Sequence, residues 1–107
     1  YQSKNCKNVA VHHLLAHEAG IPDYTDCDDY WDICGDLTVE DVIEKAKGQP
    51  LEFAPGSDYC YSNTGYDLLG KIIEEQSQLL YGEFIKQKLF IPAGMTSSGV
   101  RSARDVL

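Results

Sequence analysis

The sequence has no apolar run long enough to cross a bilayer, which takes about 20 residues. Cations are scarce, because nine Lys and Arg stand against seventeen Asp and Glu, and the formal net charge is −8. Nucleic-acid binding needs clustered cations, whereas these are scattered singly, so we expect neither nucleic acid nor an anionic membrane as a partner. The chain begins at Tyr1 without an initiator Met or a signal-peptide pattern, from which we expect a processed or excised start.

Cysteine pairs of the Cys-x-x-Cys type are also absent, which argues against a zinc ribbon or a thioredoxin-like redox site. The four cysteines are Cys6, Cys27, Cys34 and Cys60. An even number permits two disulfides in three connectivities. Reduced cysteines that fill small apolar spaces fit the pattern equally well, so the redox compartment stays open.

Apolar periodicity predicts four helices in one domain that spans residues 1–107. The first helix covers residues 9–17 and ends at Gly20 and Pro22. The second begins after Thr38, which forms a capping-box pattern with Asp41, and stops at Gly48. Residues 51–53 alternate like a short extended piece and precede a turn. The predicted fold class is therefore mostly α, with little or no sheet.

The third and fourth helices follow this turn. Ser62 or Asn63 can cap the third helix, and the fourth covers residues 81–90. The expected apolar positions of the third helix are Tyr66, Leu69, Ile72 and Ile73, and those of the fourth are Phe84, Ile85 and Leu89.

Tyr61-Ser62-Asn63 is the densest candidate for chemistry, because it lies at a helix start after the Pro55-Gly56 turn. A helix N-terminus offers unpaired N–H groups and a partial positive charge, which would favour Tyr61 as a proton shuttle. Asn63 supplies a donor and an acceptor for a ligand that carries an amide. From the residues alone, the more probable interpretation is a capped helix preceded by a packed tyrosine.

Three motifs resemble the serine β-lactamase and penicillin-binding-protein family, in its class C-like, esterase and D-amino-acid peptidase branch. Residues 14–22 read Leu-Leu-Ala-His-Glu-Ala-Gly-Ile-Pro, similar to the family's Leu-Leu-Thr-His-Thr-Ser-Gly-Ile segment. Residues 61–74 resemble its Tyr-Ser-Asn-x-Gly-Tyr-x-Leu-Leu-Gly-x-Ile-Ile-Glu block, and residues 90–95 its Phe-x-Pro-Leu-Gly-Met signature. The motifs occur in family order, and the resemblance extends over residues 9–100.

The resemblance implies roles for four residues. Tyr61 would transfer a proton, and Asn63 would contact the substrate amide and a catalytic Lys. Ser62 and His17 would be structural, with Ser62 facing inward at the helix start and His17 hydrogen-bonded beneath the site. The complete enzyme would form an acyl-enzyme with a peptidoglycan peptide, a β-lactam or an ester. It would need no cofactor and would act at the cell envelope or outside the cell.

The family's nucleophile motif, Ser-x-x-Lys, is missing from this chain. None of the seven serines is followed by Lys at the third position, and Ser98 with Arg101 is the nearest case. Arg stays protonated and cannot act as the base. Lys-Thr-Gly and His-x-Gly are absent too. We therefore expect the helical subdomain of the β-lactamase/transpeptidase-like fold, inactive alone, as a fragment or truncation of a larger domain.

A second interpretation is a truncated stand-alone module that binds protein or peptide and self-associates. An excised subdomain would expose an apolar face, and large exposed apolar patches usually find a partner. The expected partner is a second copy of the chain or the missing α/β half.

The segment before the fourth helix departs from the family's Ser-Gly-x-Ser. Here it reads Ser77-Gln78-Leu79-Leu80, without the Gly of the turn and the Ser of the cap. Losing a cap costs about 1 kcal/mol, and Gln in a position that prefers Gly adds strain. We expect a rebuilt turn, with the third and fourth helices more continuous or engaged with a partner.

No metal site is predicted. His13 and His17 stand at i and i+4 on one face of the predicted helix, but the metalloprotease Glu is absent between them. The aspartates of residues 23–36 do not place Gly and Glu where a calcium loop needs them. We expect instead a solvated acidic loop that borders the substrate cleft. Its aromatic residues would line the cleft, or at least one of them would anchor the loop to the core: Tyr24, Tyr30 and Trp31.

Overall fold

The computed structural model describes residues 9–26 and 38–101. These residues form four α-helices and no strand, which confirms the mostly α fold class. The helices are α1 (Val11–Leu15), α2 (Val39–Lys47), α3 (Asn63–Ser77) and α4 (Tyr81–Ile85), with a 3₁₀ turn at Tyr24–Asp26 and a π-helical turn at Lys86–Phe90. The expectations for Cys6, Cys27, Cys34, Tyr30 and Trp31 lie outside the described residues.

The first compact unit lies within Tyr1–Leu69, and the second lies within Gly70–Leu107. The core of the first unit is small and comes from three helices and the segment after α1. Its buried apolar side chains are Leu14, Ala19, Ile21, Val42, Ile43, Ala46 and Leu68.

Helix α1 is shorter than the periodicity predicts. It ends at Leu15, and His17 adopts a left-handed conformation with φ +59°. Leu14 is buried beside the start of α3, where a Cβ on Gly65 would lie 3.8 Å from its side chain. Val11 and Leu15, which follow the same apolar period as Leu14, are half exposed. Leu14 is therefore the buried residue of this helix.

Helix α2 begins as the capping pattern predicts. The Thr38 hydroxyl accepts a bond from the Asp41 N–H at 3.2 Å, and the Asp41 carboxylate accepts one from the Thr38 N–H at 3.1 Å. The bond from the Thr38 N–H, followed by the Thr38 side chain, holds the pKa of the Asp41 carboxyl below its usual value. Of the apolar positions that the periodicity predicts for this helix, Val42, Ile43 and Ala46 are buried, whereas Val39 in the first turn is exposed.

Gly20 makes room for the segment that leads from α2 to the site. Its φ is +78°, and a Cβ there would collide with the carbonyl oxygen of Phe53. The Gly20 carbonyl accepts a 2.7 Å bond from the Glu52 N–H. Residues 51–53 are therefore held against Gly20 by backbone contact, without forming a strand.

The apolar face of α3 differs from the prediction. Thr64, Gly65 and Leu68 are its buried residues, whereas Tyr66 is 48% exposed. In the second unit, Phe84 and Ile85 are half-buried, but Leu89 is 56% exposed, so its predicted burial was wrong.

A tight turn separates α3 from α4, so the expectation of more continuous helices was wrong. Gln78 takes a left-handed conformation with φ +60°, which ends α3. Its N–H donates to the Glu74 carbonyl at 3.0 Å, and its side-chain amide donates to the Glu75 carbonyl at 2.7 Å. Gln78 therefore adopts the turn conformation that glycine favours, as its position in the family pattern suggested. Engagement of this turn with a partner stays a prediction.

The start of α4 has a substitute for the missing serine cap. Leu80 occupies the cap position and offers no side-chain acceptor. The Tyr81 N–H instead donates to Glu74 Oε2 at 2.9 Å. A carboxylate from the last turns of α3 thus satisfies a donor at the N-terminus of α4.

None of the helices in residues 9–26 and 38–101 is long and apolar enough to span a membrane.

Candidate functional site

The candidate site is built around the first turn of α3. Ser62 precedes the helix and is 6% exposed, and its hydroxyl accepts a bond from the Gly65 N–H at 3.2 Å. This is the geometry of an N-cap residue. Asn63 is already the first helical residue, so its side chain projects from the open end of the helix.

Backbone bonds bring the segment before α3 alongside the end of α1. The Gly56 N–H donates to the Glu18 carbonyl at 2.8 Å, and the Cys60 N–H donates to the His17 carbonyl at 2.9 Å. Gly56 has φ +83°, as the predicted Pro-Gly turn requires. Cys60 carries a free, exposed thiol. The chain therefore returns along residues 17–18 before it enters the helix.

His17 holds this segment through its side chain as well. Its Nδ1 accepts a 3.1 Å bond from the Ser62 N–H, a donor at the helix mouth. Because Nδ1 is the acceptor, the neutral ring carries its proton on Nε2. The left-handed backbone of His17 is a strained conformation for a non-glycine residue, and such strain persists only where the surroundings enforce it.

Tyrosine rings surround the His17 imidazole. Ring centroids lie 4.5 Å away for Tyr61, 5.0 Å for Tyr66 and 6.0 Å for Tyr59, which meets the imidazole edge-on. The Tyr66 hydroxyl donates to the Leu15 carbonyl at 2.8 Å, which satisfies an acceptor at the C-terminus of α1. Tyr66 thus covers His17 instead of entering the core.

Tyr61 and Asn63 are joined directly. The Tyr61 hydroxyl donates to Asn63 Oδ1 at 3.1 Å. Tyr61 is 58% exposed, so a ligand can reach its hydroxyl. The geometry brings together all four residues that the resemblance singled out, and their catalytic or structural roles stay predictions.

Asp23 is a site residue that the sequence interpretation missed. Its Oδ2 accepts bonds from the Asn63 N–H at 3.2 Å and from Asn63 Nδ2 at 3.1 Å. Its Oδ1 accepts bonds from the N–H and the hydroxyl of Thr25, both at 2.9 Å. The Asp-x-Thr spacing is typical of an Asx turn and was the available signal. Because Asp23 was grouped with the other aspartates of residues 23–36, its separate role was not predicted.

Two further groups lie close to Asp23. The buried Thr64 hydroxyl accepts a 3.0 Å bond from the Tyr24 N–H, which ties the 3₁₀ turn to α3. Burial, followed by the negative charge of Asp23, raises the pKa of the half-buried Asp67. The mouth of α3 therefore carries two carboxyl groups in addition to the Tyr61–Asn63 pair.

The structure separates the two histidines that suggested a metal site. Helix α1 ends before His17, so His13 and His17 do not share a helical face, contrary to the pattern. His13 Nδ1 accepts a bond from the Ala10 N–H, and His17 Nδ1 accepts one from the Ser62 N–H. Within the described ranges there is no group of three or more potential metal ligands.

The sequence and the fold match a known family. A sequence model described as Beta-lactamase matches residues 2–106, and the chain belongs to this serine β-lactamase and penicillin-binding-protein-like family. It is 38% identical over 101 residues to penicillin-binding protein 4* of Bacillus subtilis, covering 92% of this chain and 22% of that protein.

Two solved structures show the same arrangement over part of their length. A penicillin-binding protein from Bacillus halodurans superposes with a TM-score of 0.79 at 31% identity, covering 95% of this chain and 34% of that one. The octameric penicillin-binding protein homologue from Pyrococcus abyssi has a TM-score of 0.65 at 41% identity, covering 82% and 22%. The chain thus spans between about a fifth and a third of the relatives that it matches.

Proposed function

We propose that the chain supplies the Tyr-x-Asn part of a serine hydrolase that acts through an acyl-enzyme on peptidoglycan peptides, β-lactams or esters. The observation that carries the proposal is the 3.1 Å bond between the Tyr61 hydroxyl and Asn63 Oδ1 at the start of α3. Family membership, in an arrangement shared with penicillin-binding proteins, supports the same reading. Action at the cell envelope or outside the cell is part of the proposal.

Each residue has a distinct role in this proposal. Tyr61 moves a proton between the nucleophile and the leaving group, since its hydroxyl is exposed and already hydrogen-bonded. Asn63 contacts the substrate amide and the catalytic Lys. Ser62 and His17 are structural, because the Ser62 N–H bond to His17 Nδ1 fixes the helix mouth.

The chain alone is expected to be inactive. Activated-serine catalysis needs a nucleophile and its base within hydrogen-bond reach, and the chain contains no Ser-x-x-Lys. A fluorescent penicillin or a fluorophosphonate should therefore leave it unlabelled, with a labelled penicillin-binding protein as the positive control. Covalent labelling at any of the seven serines would contradict this expectation.

A chimaera tests the active role. Residues 2–106 replace the matching segment of Bacillus subtilis penicillin-binding protein 4*, and acylation by fluorescent penicillin is followed over time. We expect the chimaera to be acylated, and Tyr61→Phe to slow acylation about 10²–10⁴-fold, the usual contribution of a proton-transfer group.

Tyr59→Phe is the matched control for the chimaera. Tyr59 is exposed and contacts His17 through its ring, but its hydroxyl lies outside the Tyr61–Asn63 pair. This variant should leave the acylation rate unchanged. A folded chimaera that penicillin does not acylate, or equal effects of the two substitutions, would refute the proposal.

A second candidate function is a self-associating protein- or peptide-binding module. Large apolar side chains exposed in the second unit favour it, and the most exposed are Leu80, Leu89 and Ile91 at 74%, 56% and 62%. The same surface would serve a missing α/β half. The octameric assembly of the Pyrococcus abyssi homologue makes self-association the more direct possibility to test.

A further inference from the structure

We propose that Asp23 is a positioning residue that fixes the direction of the Asn63 side-chain amide. It turns Asn63 Oδ1 toward Tyr61 and binds one N–H of the Asn63 side-chain amide itself, so that this N–H does not face Tyr61. The meaning of this arrangement for catalysis rests on the proposed function, whereas the arrangement itself does not.

The direction follows from which groups can donate. An ionised carboxylate only accepts hydrogen bonds, so the Asn63 group that faces Asp23 must be the NH₂ group. Asn63 Nδ2 lies 3.1 Å from Asp23 Oδ2, which leaves Oδ1 pointing to the Tyr61 hydroxyl at 3.1 Å. An amide oxygen only accepts, so the Tyr61 hydroxyl is the donor in that pair. The three side chains form a chain of donors that ends at Asp23.

Asp23 is suited to hold a neighbour and has little capacity left for a substrate. Each of its oxygens already accepts two bonds, from Thr25 on Oδ1 and from Asn63 on Oδ2. Because one of them comes from the Asn63 backbone N–H, the carboxylate is fixed relative to the helix axis as well as to the amide. Asp23 therefore acts through Asn63.

Asp23 lies where a carboxylate can bind the start of α3. It accepts from a backbone N–H in the first turn of α3, where the helix dipole stabilises an anion. The Asp67 carboxyl, one turn further along α3, feels the charge of Asp23, which contributes to its raised pKa after burial. The charge of Asp23 thus affects the pKa of the neighbouring Asp67 carboxyl.

The fixed amide defines what the site can recognise. Asn63 presents one acceptor, Oδ1, and retains one N–H that Asp23 does not use. The acceptor suits an ammonium or amide N–H, and the free N–H suits an amide carbonyl. A site of this polarity fits a ligand that carries a peptide-like amide.

The decisive test is the nuclear magnetic resonance signal of the Asn63 side-chain NH₂ group in the 107-residue chain. In the wild type, we expect one of its two protons to be shifted downfield by its hydrogen bond to the Asp23 carboxylate. Asp23→Asn replaces one carboxylate oxygen with an NH₂ group. In either orientation of the new side-chain amide, this NH₂ group faces donors, either those of Thr25 or those of Asn63. The downfield shift should then be reduced, because a neutral amide oxygen is a weaker acceptor than a carboxylate even where it still faces Asn63.

Asp67→Asn is the matched control, because it removes a neighbouring carboxylate that Asn63 does not contact and should leave the Asn63 signal in place. Signals of α2, such as that of Val42, report whether a variant is folded. If Asp23→Asn unfolds the chain, the position of the wild-type Asn63 signal decides. An Asn63 signal that follows Asp67 instead of Asp23, or that lies at the position of an unpaired amide, overturns the proposal.

The outcome is separable from that of the proposed function. If the Asn63 signal depends on Asp23 while the chimaera is not acylated, the positioning role stands and the hydrolase proposal fails. If the chimaera is acylated while the Asn63 signal is the same with and without the Asp23 carboxylate, the positioning role alone fails.

Discussion

His17 links the end of α1 to the start of α3 through two different groups. Its carbonyl accepts the Cys60 N–H, and its imidazole accepts the Ser62 N–H. His17 makes both bonds from a left-handed backbone conformation, with φ +59°. The stacked tyrosines then shield the ring from solvent. His17 thus fixes the position of the segment that carries Tyr61 and Asn63.

His17→Ala should lower the free energy of unfolding by about 2 kcal/mol, because a half-buried Ser62 N–H loses its acceptor while the strained backbone remains. His17→Gly should lower the free energy of unfolding by only about 1 kcal/mol, since glycine relieves the left-handed strain. Urea unfolding followed by circular dichroism measures both. The exposed His12 provides the control, and His12→Ala should lie within about 0.5 kcal/mol of the wild type. A glycine variant less stable than the alanine variant would contradict this account.

At the scale of the elements, a feature could be predicted from the sequence when the residues that determine it lie close together along the chain. The start of α2 was predictable because Thr38 and Asp41 cap each other within one turn. The end of α1 was not, because a non-glycine residue in a left-handed conformation leaves no composition signal. Asp23 escaped notice because its Asn63 partner lies forty positions away. Tyr61 and Asn63 were singled out by their place at a helix start, but only the family resemblance favoured a functional role over a capped helix.

The α3–α4 turn yields a prediction at this scale. Gln78→Gly removes the left-handed strain but also the bond to the Glu75 carbonyl, so we expect a net stabilisation of about 0.5 kcal/mol. Gln78→Val introduces a β-branched residue into the same conformation and should destabilise by about 1–2 kcal/mol. Thermal unfolding of the three proteins should therefore rank Gly above Gln above Val. The reverse order would mean that the turn is not left-handed at Gln78.

At the scale of the whole molecule, the second unit has little core for its apolar content. In its described part no side chain is fully buried, while Leu80, Leu89 and Ile91 are more than half exposed. Burial of such side chains contributes about 1.5–3 kcal/mol each, so this unit gains more from association than the first unit does. The family's larger members offer one covering surface, and a second copy offers another.

We expect the isolated chain to self-associate at micromolar concentrations, as measured by sedimentation velocity. Replacing Leu89 and Ile91 with Glu should raise the dissociation constant at least about tenfold, because charges then replace apolar contact area. Gln76→Glu with Gln87→Glu adds the same charge at exposed polar positions and is the control. A monomer at every concentration, or equal dissociation by both pairs of substitutions, would contradict association through this surface.

The contacts that complete the mouth of α3 also bear on how the chain folds. His17 lies 45 residues before Ser62, and Asp23 and Tyr24 lie 40 residues before the groups that they bind. Closing loops of this length costs entropy that local helix formation does not, so such contacts form slowly compared with a helix turn. α2, with its self-contained cap, can form early, whereas the Tyr61–Asn63 geometry is reached only once these distant segments have met. The arrangement most useful for chemistry is then among the last parts of the chain to become ordered.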